Sequence, residues 1–428
     1  MRVEDLVYFC APSRLIIGAG TRAQLPELLQ HLGYRTGLLV TDIYFTTHMP
    51  WVSKYVEAAR ARGVETLVYD GGMADPTTTL CDAATADVRR RLGGRQLDHI
   101  IALGGGSSID LAKALCLTLP AGRPIGDFVV AIDSATAVLP LIALPTTAGT
   151  GSEATPGAIL VDPDNATKVA VMDNRLRPGI ALIDPEFTYS CPPRVTADAG
   201  IDALTHAIES FLTLDSAQFN RGGHPDPGYS GRNALTMLFA RESIRLCARY
   251  LLRAYQDGKD TEARVGMCYA SLYAALSYGS AGLNAVHGIA YGVAGITHKS
   301  HGSTNAVVLP YVLDALQHER AAELLEIARM FGIEETDEAE AIARLPHVIR
   351  AMVEAVGIPG DLASFGIPES QLVALTADAL AVTRLAEAFP VADVSSRYSS
   401  IIRGAWRGEF SSSFCPSQAA AGGALRAV

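Results

Sequence analysis

Asp202 and His206 stand four residues apart in the run from Thr196 to Leu212, whose apolar residues Ile201, Leu204, Ile208, Phe211 and Leu212 fall on one side of a helix. At about 100° per residue an i, i+4 pair stacks on a common face, so a single helix can offer a carboxylate and an imidazole to one cation. Glu209 lies near the same stripe, as a rival ligand or as an acceptor behind one. Further along, the nearly uncharged stretch from Ala281 to Gly295 contains His287, and His298 and His301 follow where the chain turns through Thr-His-Lys-Ser-His-Gly. A lone histidine in an apolar stretch is usually a satisfied core residue, but five of the ten histidines, His224 of the polar insertion included, fall between positions 206 and 301. One carboxylate with three imidazoles has the borderline hardness that suits Fe, Zn, Mn or Ni, with a position left open for a substrate oxygen. Ligand type alone does not name the metal.

A second chemistry is written in glycine. His99-Ile-Ile-Ala-Leu103 reads as a strand, Gly104-Gly-Gly-Ser-Ser108 as a turn, and Ile109-Asp-Leu-Ala-Lys-Ala114 as a helix start. Glycines let a backbone approach a phosphate closely, while first-turn amides and the helix dipole favour the anion. Leu144-Pro-Thr-Thr-Ala-Gly-Thr-Gly-Ser-Glu153 repeats the pattern: a buried strand empties into a loop of small residues and hydroxyls. Two such loops predict one dinucleotide in the crevice at the carboxyl ends of an α/β sheet. Neither is the GxGxxG fingerprint, so the ordinary Rossmann motif is absent. Asp42 ends the strand GLLVTD, where an acid accepts hydrogen bonds from a ribose diol and repels a 2′-phosphate, a preference for NAD over NADP.

The elements that must position these groups follow from patterning. From Leu15 to about Pro185, aliphatic runs (Thr36 to Thr41, Glu65 to Tyr69, His99 to Leu103, Leu139 to Leu144) alternate with helical stretches, the pattern of a parallel sheet covered by helices. The segments AILVD, KVAVMD and GIALIDP between Ala158 and Pro185 are expected to extend or edge that sheet. After Pro192-Pro193 the texture becomes Ala/Leu-rich with 3.6 periodicity, an all-helical half. It is interrupted by Gln218 to Asn233, which is too rich in Gly, Pro, Asn and Asp for helix. The last residues, CPSQAAAGGALRAV, read as a loose tail.

Composition sets the outer bounds. A chain of 428 residues with 49% apolar and 19% charged residues reads as an ordinary globular protein. Its net charge of −10 argues against nucleic acid or an anionic membrane as partner. The seven cysteines are scattered without a CxxC pair, which fits a reducing cytoplasm rather than a disulfide scaffold or zinc knuckle. The N-terminus lacks the long apolar core of a signal peptide, and the apolar run Ala137 to Leu144 is far short of the roughly 20 residues of a membrane helix.

Taken in order, these motifs resemble the iron-containing alcohol dehydrogenases over nearly the whole chain. The carriers are GGGSSIDLAKA (Gly104 to Ala114), PTTAGTGSEAT (Pro145 to Thr155), IDPE (Ile183 to Glu186), GIDALTHAIES (Gly200 to Ser210), and VHGIAYG followed by HGSTNAVVLP. The resemblance implies an α/β dinucleotide-binding domain with a parallel sheet over residues 1–190 and an all-helical metal-binding and substrate domain over 191–428. This is the dehydroquinate synthase-like fold, with a cleft between the domains and a homodimeric assembly. The implied activity is a metal-dependent, NAD(P)-linked alcohol dehydrogenase or aldehyde reductase for a small primary alcohol or aldehyde, including one bearing an anionic group. The resemblance puts the metal, Fe2+ with Zn2+ as alternative, on Asp202, His206, His287 and His301. It puts the nucleotide on Asp42, Gly104, Gly105, Gly106, Ser107, Asp110, Thr146, Thr147, Ser152 and Lys168, and a proton relay on Tyr291 and His298. Two positions depart from the family pattern: Tyr291 replaces the histidine four residues beyond the third ligand, and Asp75 replaces the asparagine of an Asn-Pro-Thr loop. The Gln218 to Asn233 insertion, with its Tyr229-Ser-Gly-Arg-Asn233 core, resembles the branch of hydroxyacid-oxoacid transhydrogenases. A transhydrogenase with tightly held NAD is thus the alternative, with Arg221, Arg232 and His224 as contacts for an anionic substrate. A dehydroquinate-synthase-like lyase would need a denser set of Lys and Arg near the metal, and a non-catalytic nucleotide binder would not need the intact ligand positions.

Overall fold

The computed structural model describes residues 6–164 and 167–411. The chain divides into two compact units. One comprises Cys10–Ser190 with His224–Gly228; the other comprises the described residues of Met1–Phe9, Cys191–Gly223 and Tyr229–Val428. The tail expected from Cys415 onward lies outside the described residues.

The first unit contains strands β1 (Arg14–Ile17), β2 (Thr36–Asp42), β3 (Glu65–Gly72), β4 (His99–Gly104), β5 (Leu141–Pro145), β6 (Gly157–Asp162), β7 (Thr167–Met172) and β8 (Ile180–Ile183). Six of them form a sheet in the order β1-β8-β5-β4-β2-β3, with every pair parallel. Parallel strands covered on both faces read as continuous apolar runs, and the alternation of side chains sorts those runs into two cores. Leu38, Val40, Ile100, Ala102, Leu141 and Ala143 meet Val88, Ile109, Leu111 and Leu115 on one face. Leu39, Ile101, Leu103, Ile142, Leu144 and Leu182 meet Leu25, Leu29, Val52 and Phe187 on the other. The result is a three-layer sandwich, helix on sheet on helix.

Of the three segments expected to extend the sheet, only the last does so, as β8 between β1 and β5. The other two pair with each other as an antiparallel hairpin, β6 with β7. The hairpin is held instead by the helix Gly106–Ala121, whose Lys113 Nζ donates to Gly157 O at 2.7 Å, and by Val161 N–H to Pro76 O at 2.9 Å. The IDPE motif is a clamp at the carboxyl end of β8. Buried Asp184 accepts from the backbone N–H of Gly20 (3.0 Å), Arg22 (3.1 Å) and Glu186 (3.1 Å) and from the Arg22 guanidinium (2.9 Å), fastening the turn after β1.

The second unit is helical. Its long members are Pro193–Leu212, Ala234–Gln256, Thr261–Ala281, Ala285–Thr297, His301–Ala315 and Glu338–Ala355. No described helix is long and apolar enough to cross a membrane. No disulfide joins the six described cysteines.

Candidate functional site

Helix Pro193–Leu212 begins with proline at its first position, where the missing N–H costs nothing, and carries Asp202 and His206 one turn apart in its buried half. Helix Ala285–Thr297 contributes His287 from its first turn, and His301 opens the next helix. A glycine follows each of these two histidines, and each marks a close approach. A Cβ on Gly302 would lie 1.9 Å from Asp198 O, so only glycine lets the His301 helix start against the Asp202 helix; a Cβ on Gly288 would lie 3.1 Å from Tyr398 Oη. One ligand atom from each of Asp202, His206, His287 and His301 thus lies within 4.8 Å of the others. Asp202 Oδ1 is 3.8 Å from His206 Nε2 and 3.9 Å from the Nε2 of both His287 and His301. The His206 and His287 Nε2 atoms are 3.1 Å apart.

The surroundings decide what these nitrogens offer. Glu209 Oε2 meets His287 Nδ1 directly, while its Oε1 accepts the backbone N–H of Val286 (2.7 Å), Asn284 (3.2 Å) and His287 (3.4 Å). With the ring proton held at Nδ1 by this carboxylate, His287 turns a lone pair at Nε2 into the cluster. Glu209 is therefore the acceptor behind a ligand, not a rival ligand. Burial pushes its carboxyl up to about 8, against the pull of the Val286 N–H and the His206 imidazole. Burial acts the same way on Asp202, but the imidazoles of His206, His301 and His287 outweigh it and hold that group below the usual carboxylate range. Asn305, one turn beyond His301, donates its amide to Asp202 Oδ1 (2.8 Å), with the same nitrogen 3.1 Å from His287 Nε2 and 3.3 Å from His301 Nε2. Two imidazole nitrogens facing each other beside a buried carboxylate, with a proton fixed on the far side of one ring, fit a cation as their common partner. Glu209→Gln is expected to weaken metal affinity about 10- to 100-fold, read from metal content after dialysis against graded chelator; unchanged retention would show that Glu209 does not tune His287.

The two glycine loops lie at the carboxyl ends of adjacent strands, with Gly104 of β4 in register with Pro145 of β5 and Thr146 N–H bonded to Gly104 O at 3.0 Å. Gly104 has φ +152°, and a Cβ there would meet Ser108 Oγ at 2.4 Å; one on Gly106 would meet Thr150 Oγ1 at 2.6 Å. Gly105 caps the helix Gly106–Ala121 without a side chain, and no acid occupies the first turn. The Ser108 N–H bonds Gly105 O at 3.1 Å, which leaves the Gly106 and Ser107 amides to an anion. Gly105, Gly106, Ser107 and Thr147 are half-buried at this mouth. Asp42 ends β2, the strand beside β4 where the sheet order reverses, and caps the following helix by accepting Tyr44 N–H at 2.8 Å. Lys168 Nζ pairs with Asp75 Oδ1 at 2.9 Å, and the Asp75 N–H donates to Ser107 Oγ at 3.2 Å, so the Asp at the departing position brings Lys168 to the glycine loop. Thr146 and Ser152 are buried. Ser152 Oγ donates to Asp110 Oδ1 (2.5 Å) and accepts from Lys113 Nζ (2.7 Å), while Asp110 Oδ2 accepts Ile159 N–H (3.0 Å). Ser152 and Asp110 thus bind the two loops to each other and to the β6–β7 hairpin.

Several expected residues lie elsewhere. His298 is exposed, left-handed at φ 52°, and ends the Ala285–Thr297 helix with its N–H on Ala294 O at 2.8 Å, outside the metal cluster. Tyr291 does reach the cluster, with ring centroids 5.9 Å from His301 and 6.5 Å from His287. In the insertion, Arg232 is spent on Asp215 (2.8 Å), Phe211 O (2.9 Å) and Glu323 (2.7 Å). Arg221 lies over the Tyr8 ring, and His224 Nδ1 accepts Asp226 N–H. None of the three gathers with the others as an anion site. Asn233 instead closes a capping box with Thr236 at the start of helix Ala234–Gln256. Glu209 and Asn305 were detectable as helical-face neighbours of His206 and His301; Lys113 had no sequence signal beyond its motif.

Metal-dependent dehydrogenases are the class to which a carboxylate–imidazole cluster and glycine-rich loops at strand ends point. Models of that kind match the chain: one described as iron-containing alcohol dehydrogenase over residues 12–185, and one described as Fe-containing alcohol dehydrogenase family, C-terminal, over residues 228–397. Long-chain-alcohol dehydrogenase 1 of Geobacillus thermodenitrificans (strain NG80-2) is 32% identical across 94% of this chain and 98% of its own. Among solved structures, a 1,3-propanediol oxidoreductase superposes with a TM-score of 0.84 at 28% identity, covering 94% of this chain and 100% of that one. The sulfoacetaldehyde reductase of Bifidobacterium kashiwanohense, solved in complex with NAD+, gives 0.77 at 26% identity over 94% of this chain and 98% of that one. The chain belongs to the iron-containing alcohol dehydrogenase family and is an oxidoreductase acting on CH–OH groups.

Proposed function

We propose that the chain is a metal-dependent, NAD-linked alcohol dehydrogenase that works as an aldehyde reductase on small primary alcohols and aldehydes. The observation that carries this reading is the convergence of one carboxylate and three imidazoles within 4.8 Å. Asp202, His206, His287 and His301 hold the cation, Fe2+ with Zn2+ as the alternative. When bound, a divalent cation supplies Lewis acidity to the substrate oxygen. Asp202 contributes the charge that retains it, Glu209 orients His287, and Asn305 keeps the Asp202 carboxylate aimed inward. His301 is the partly open member, its side chain 27% exposed against 1–4% for the other three, so substrate enters on its side. Tyr291 lines that side and can donate its O–H to a substrate oxygen.

In the α/β unit the Gly104 to Ser107 loop and the first-turn amides of helix Gly106–Ala121 bind the pyrophosphate, with Thr147 beside them and Lys168 near the same loop. Asp110, Thr146 and Ser152 hold the loops in place from behind. The Asp42 carboxylate keeps one oxygen for a ribose diol and disfavours a 2′-phosphate, which supports NAD over NADP. Dinucleotide in the 1–190 domain and metal and substrate in the 191–428 domain complete the assignment. A homodimer in the cytoplasm fits the family resemblance, and the six described cysteines, none in a disulfide, fit that compartment.

The deciding experiment strips the metal, resupplies Fe, Zn, Mn or Ni singly, and follows NADH or NADPH absorbance with short aldehydes. Activity is expected to vanish on stripping, to return with a divalent ion, and to be greater with NADH. Activity that survives complete stripping would overturn the reading. Hydride exchange between a hydroxy acid and an oxo acid without added NAD would replace it with the transhydrogenase.

A further inference from the structure

Among the described residues, Asp75 and His298 are the two at positive φ that are not glycine, Asp75 at +48°. Aspartate and asparagine tolerate this conformation better than other side chains do. The neighbours of Asp75 fix it there. Its N–H donates to Ser107 Oγ at 3.2 Å, Pro76 O accepts the Val161 N–H at 2.9 Å, and Thr77 caps the helix Thr78–Leu92 by accepting the Leu80 N–H at 3.0 Å. Val161 lies opposite Lys168 in the β6–β7 ladder, so the hairpin that holds this turn also sets Lys168 beside it, and Lys168 Nζ meets Asp75 Oδ1 at 2.9 Å. The lysine side chain is 17% exposed and the aspartate 56%, so the ammonium is the anchored member and the carboxylate the one that water reaches.

This ion pair stands at the mouth of an anion site. Ser107, which receives the Asp75 N–H, belongs to the first turn of helix Gly106–Ala121, whose Gly106 and Ser107 amides face an anion without a side-chain cap. A carboxylate fixed at this mouth repels a pyrophosphate, and it occupies the lysine that β7 brings to the loop. Shape alone does not call for it: an asparagine takes the same left-handed φ and accepts the same hydrogen bond from Lys168 without a charge. What the carboxylate adds is therefore charge. An exposed carboxylate holds an ammonium weakly, and a doubly charged pyrophosphate seated on two amides offers Lys168 a stronger partner.

We propose that Asp75 is a resident counter-anion for Lys168, displaced from it by the pyrophosphate of an incoming dinucleotide, so that Asp75 sets how tightly the cofactor is held. The proposal rests on the reading of the Gly104 to Ser107 loop as the pyrophosphate site and deepens it. In the free protein the carboxylate spares the half-buried ammonium an unpaired charge. On binding, Lys168 passes from one anion to another and no covalent bond changes. A carrier that must leave after each hydride transfer is thus held below the strength the loop and lysine could reach together.

The test titrates metal-loaded protein with NADH by fluorescence, where the sign of the effect separates a counter-anion from a residue that only shapes the turn. Asp75→Asn keeps the turn and removes the charge, and is expected to bind NADH about 3- to 10-fold more tightly as Lys168 is released to a charge-assisted contact. Should that variant not fold, Asp75→Gly, which fits the positive φ without strain, is expected to tighten binding in the same direction. Unchanged or weaker binding in the folded variant would overturn the proposal. Lys168→Gln is expected to weaken NADH about 10-fold, and Asp75→Asn added to it to gain less than it does beside the intact lysine. Undiminished binding in Lys168→Gln, or an equal gain in both backgrounds, would mean that the two side chains exchange no anion and would also overturn it. Failure of the wider reading looks different. A wild-type protein that binds no NADH loses the pyrophosphate site and this proposal together, whereas binding that Gly106→Val weakens and Asp75→Asn leaves alone keeps the site and loses the proposal.

Discussion

Replacing His287 by alanine is expected to abolish metal retention at micromolar free metal and, with it, aldehyde reduction, while leaving NAD binding intact. Structural sites with four protein ligands bind divalent ions with roughly 10–16 kcal/mol, so each ligand is worth about 3 kcal/mol, a factor of about 100 or more in affinity. His287 is the most heavily supported ligand. Its ring is held by Glu209, its own N–H and that of Val286 lie on the same carboxylate, and its Nε2 faces both His206 and Asp202. Its loss also strands Glu209, a buried carboxyl already raised to about 8, without the imidazole it serves. The measurement is metal content after gel filtration, paired with titration of NAD by fluorescence. An alanine variant that keeps its metal would mean that the four side chains meet for packing alone. One that loses both metal and NAD would mean that the substitution unfolds more than the helical unit.

Much of this arrangement is legible in the sequence because the signals are local. Strands β2, β4 and β5 announce themselves because both faces are covered, leaving uninterrupted Leu, Ile, Val and Ala runs, and each glycine loop follows its strand directly. The Asp202 and His206 pair is legible because helical periodicity is local too. What escapes is whatever depends on tertiary neighbours. The β6–β7 hairpin looks like more sheet, and the contacts of Lys113, Asp110 and Pro76 hold it apart. Ser152 and Asp110 sit in phosphate-loop motifs yet spend their polar atoms on each other and on Lys113. Arg232 sits in the polar loop, where composition offers it to an anion. It is neutralised by Asp215 and Glu323. A sequence read one residue at a time does not show which charge is already paired.

Gly106→Val is the complementary experiment, expected to weaken NAD binding about 10- to 100-fold while leaving the metal in place. The branched side chain would enter space held by Thr150 Oγ1 and Cβ, 2.6 and 2.9 Å from a first added carbon. It would either drive the Pro145 to Ser152 loop away or distort the first turn of helix Gly106–Ala121, at an overpacking cost of about 1–3 kcal/mol. Both outcomes spoil the anion site, because the same turn supplies the unpaired amides and no side-chain cap stands in for them. Ala at the same position adds only the first carbon, so it is expected to fall between glycine and valine. If phosphate is held elsewhere, all three proteins will bind NAD alike. Thr150 lies on the other glycine loop, so Thr150→Ala in the valine background is expected to recover part of the lost affinity by vacating the clashing atoms. Recovery would show that the two loops act as one cradle, whereas equal loss with and without Thr150 would place the damage in the helix turn itself.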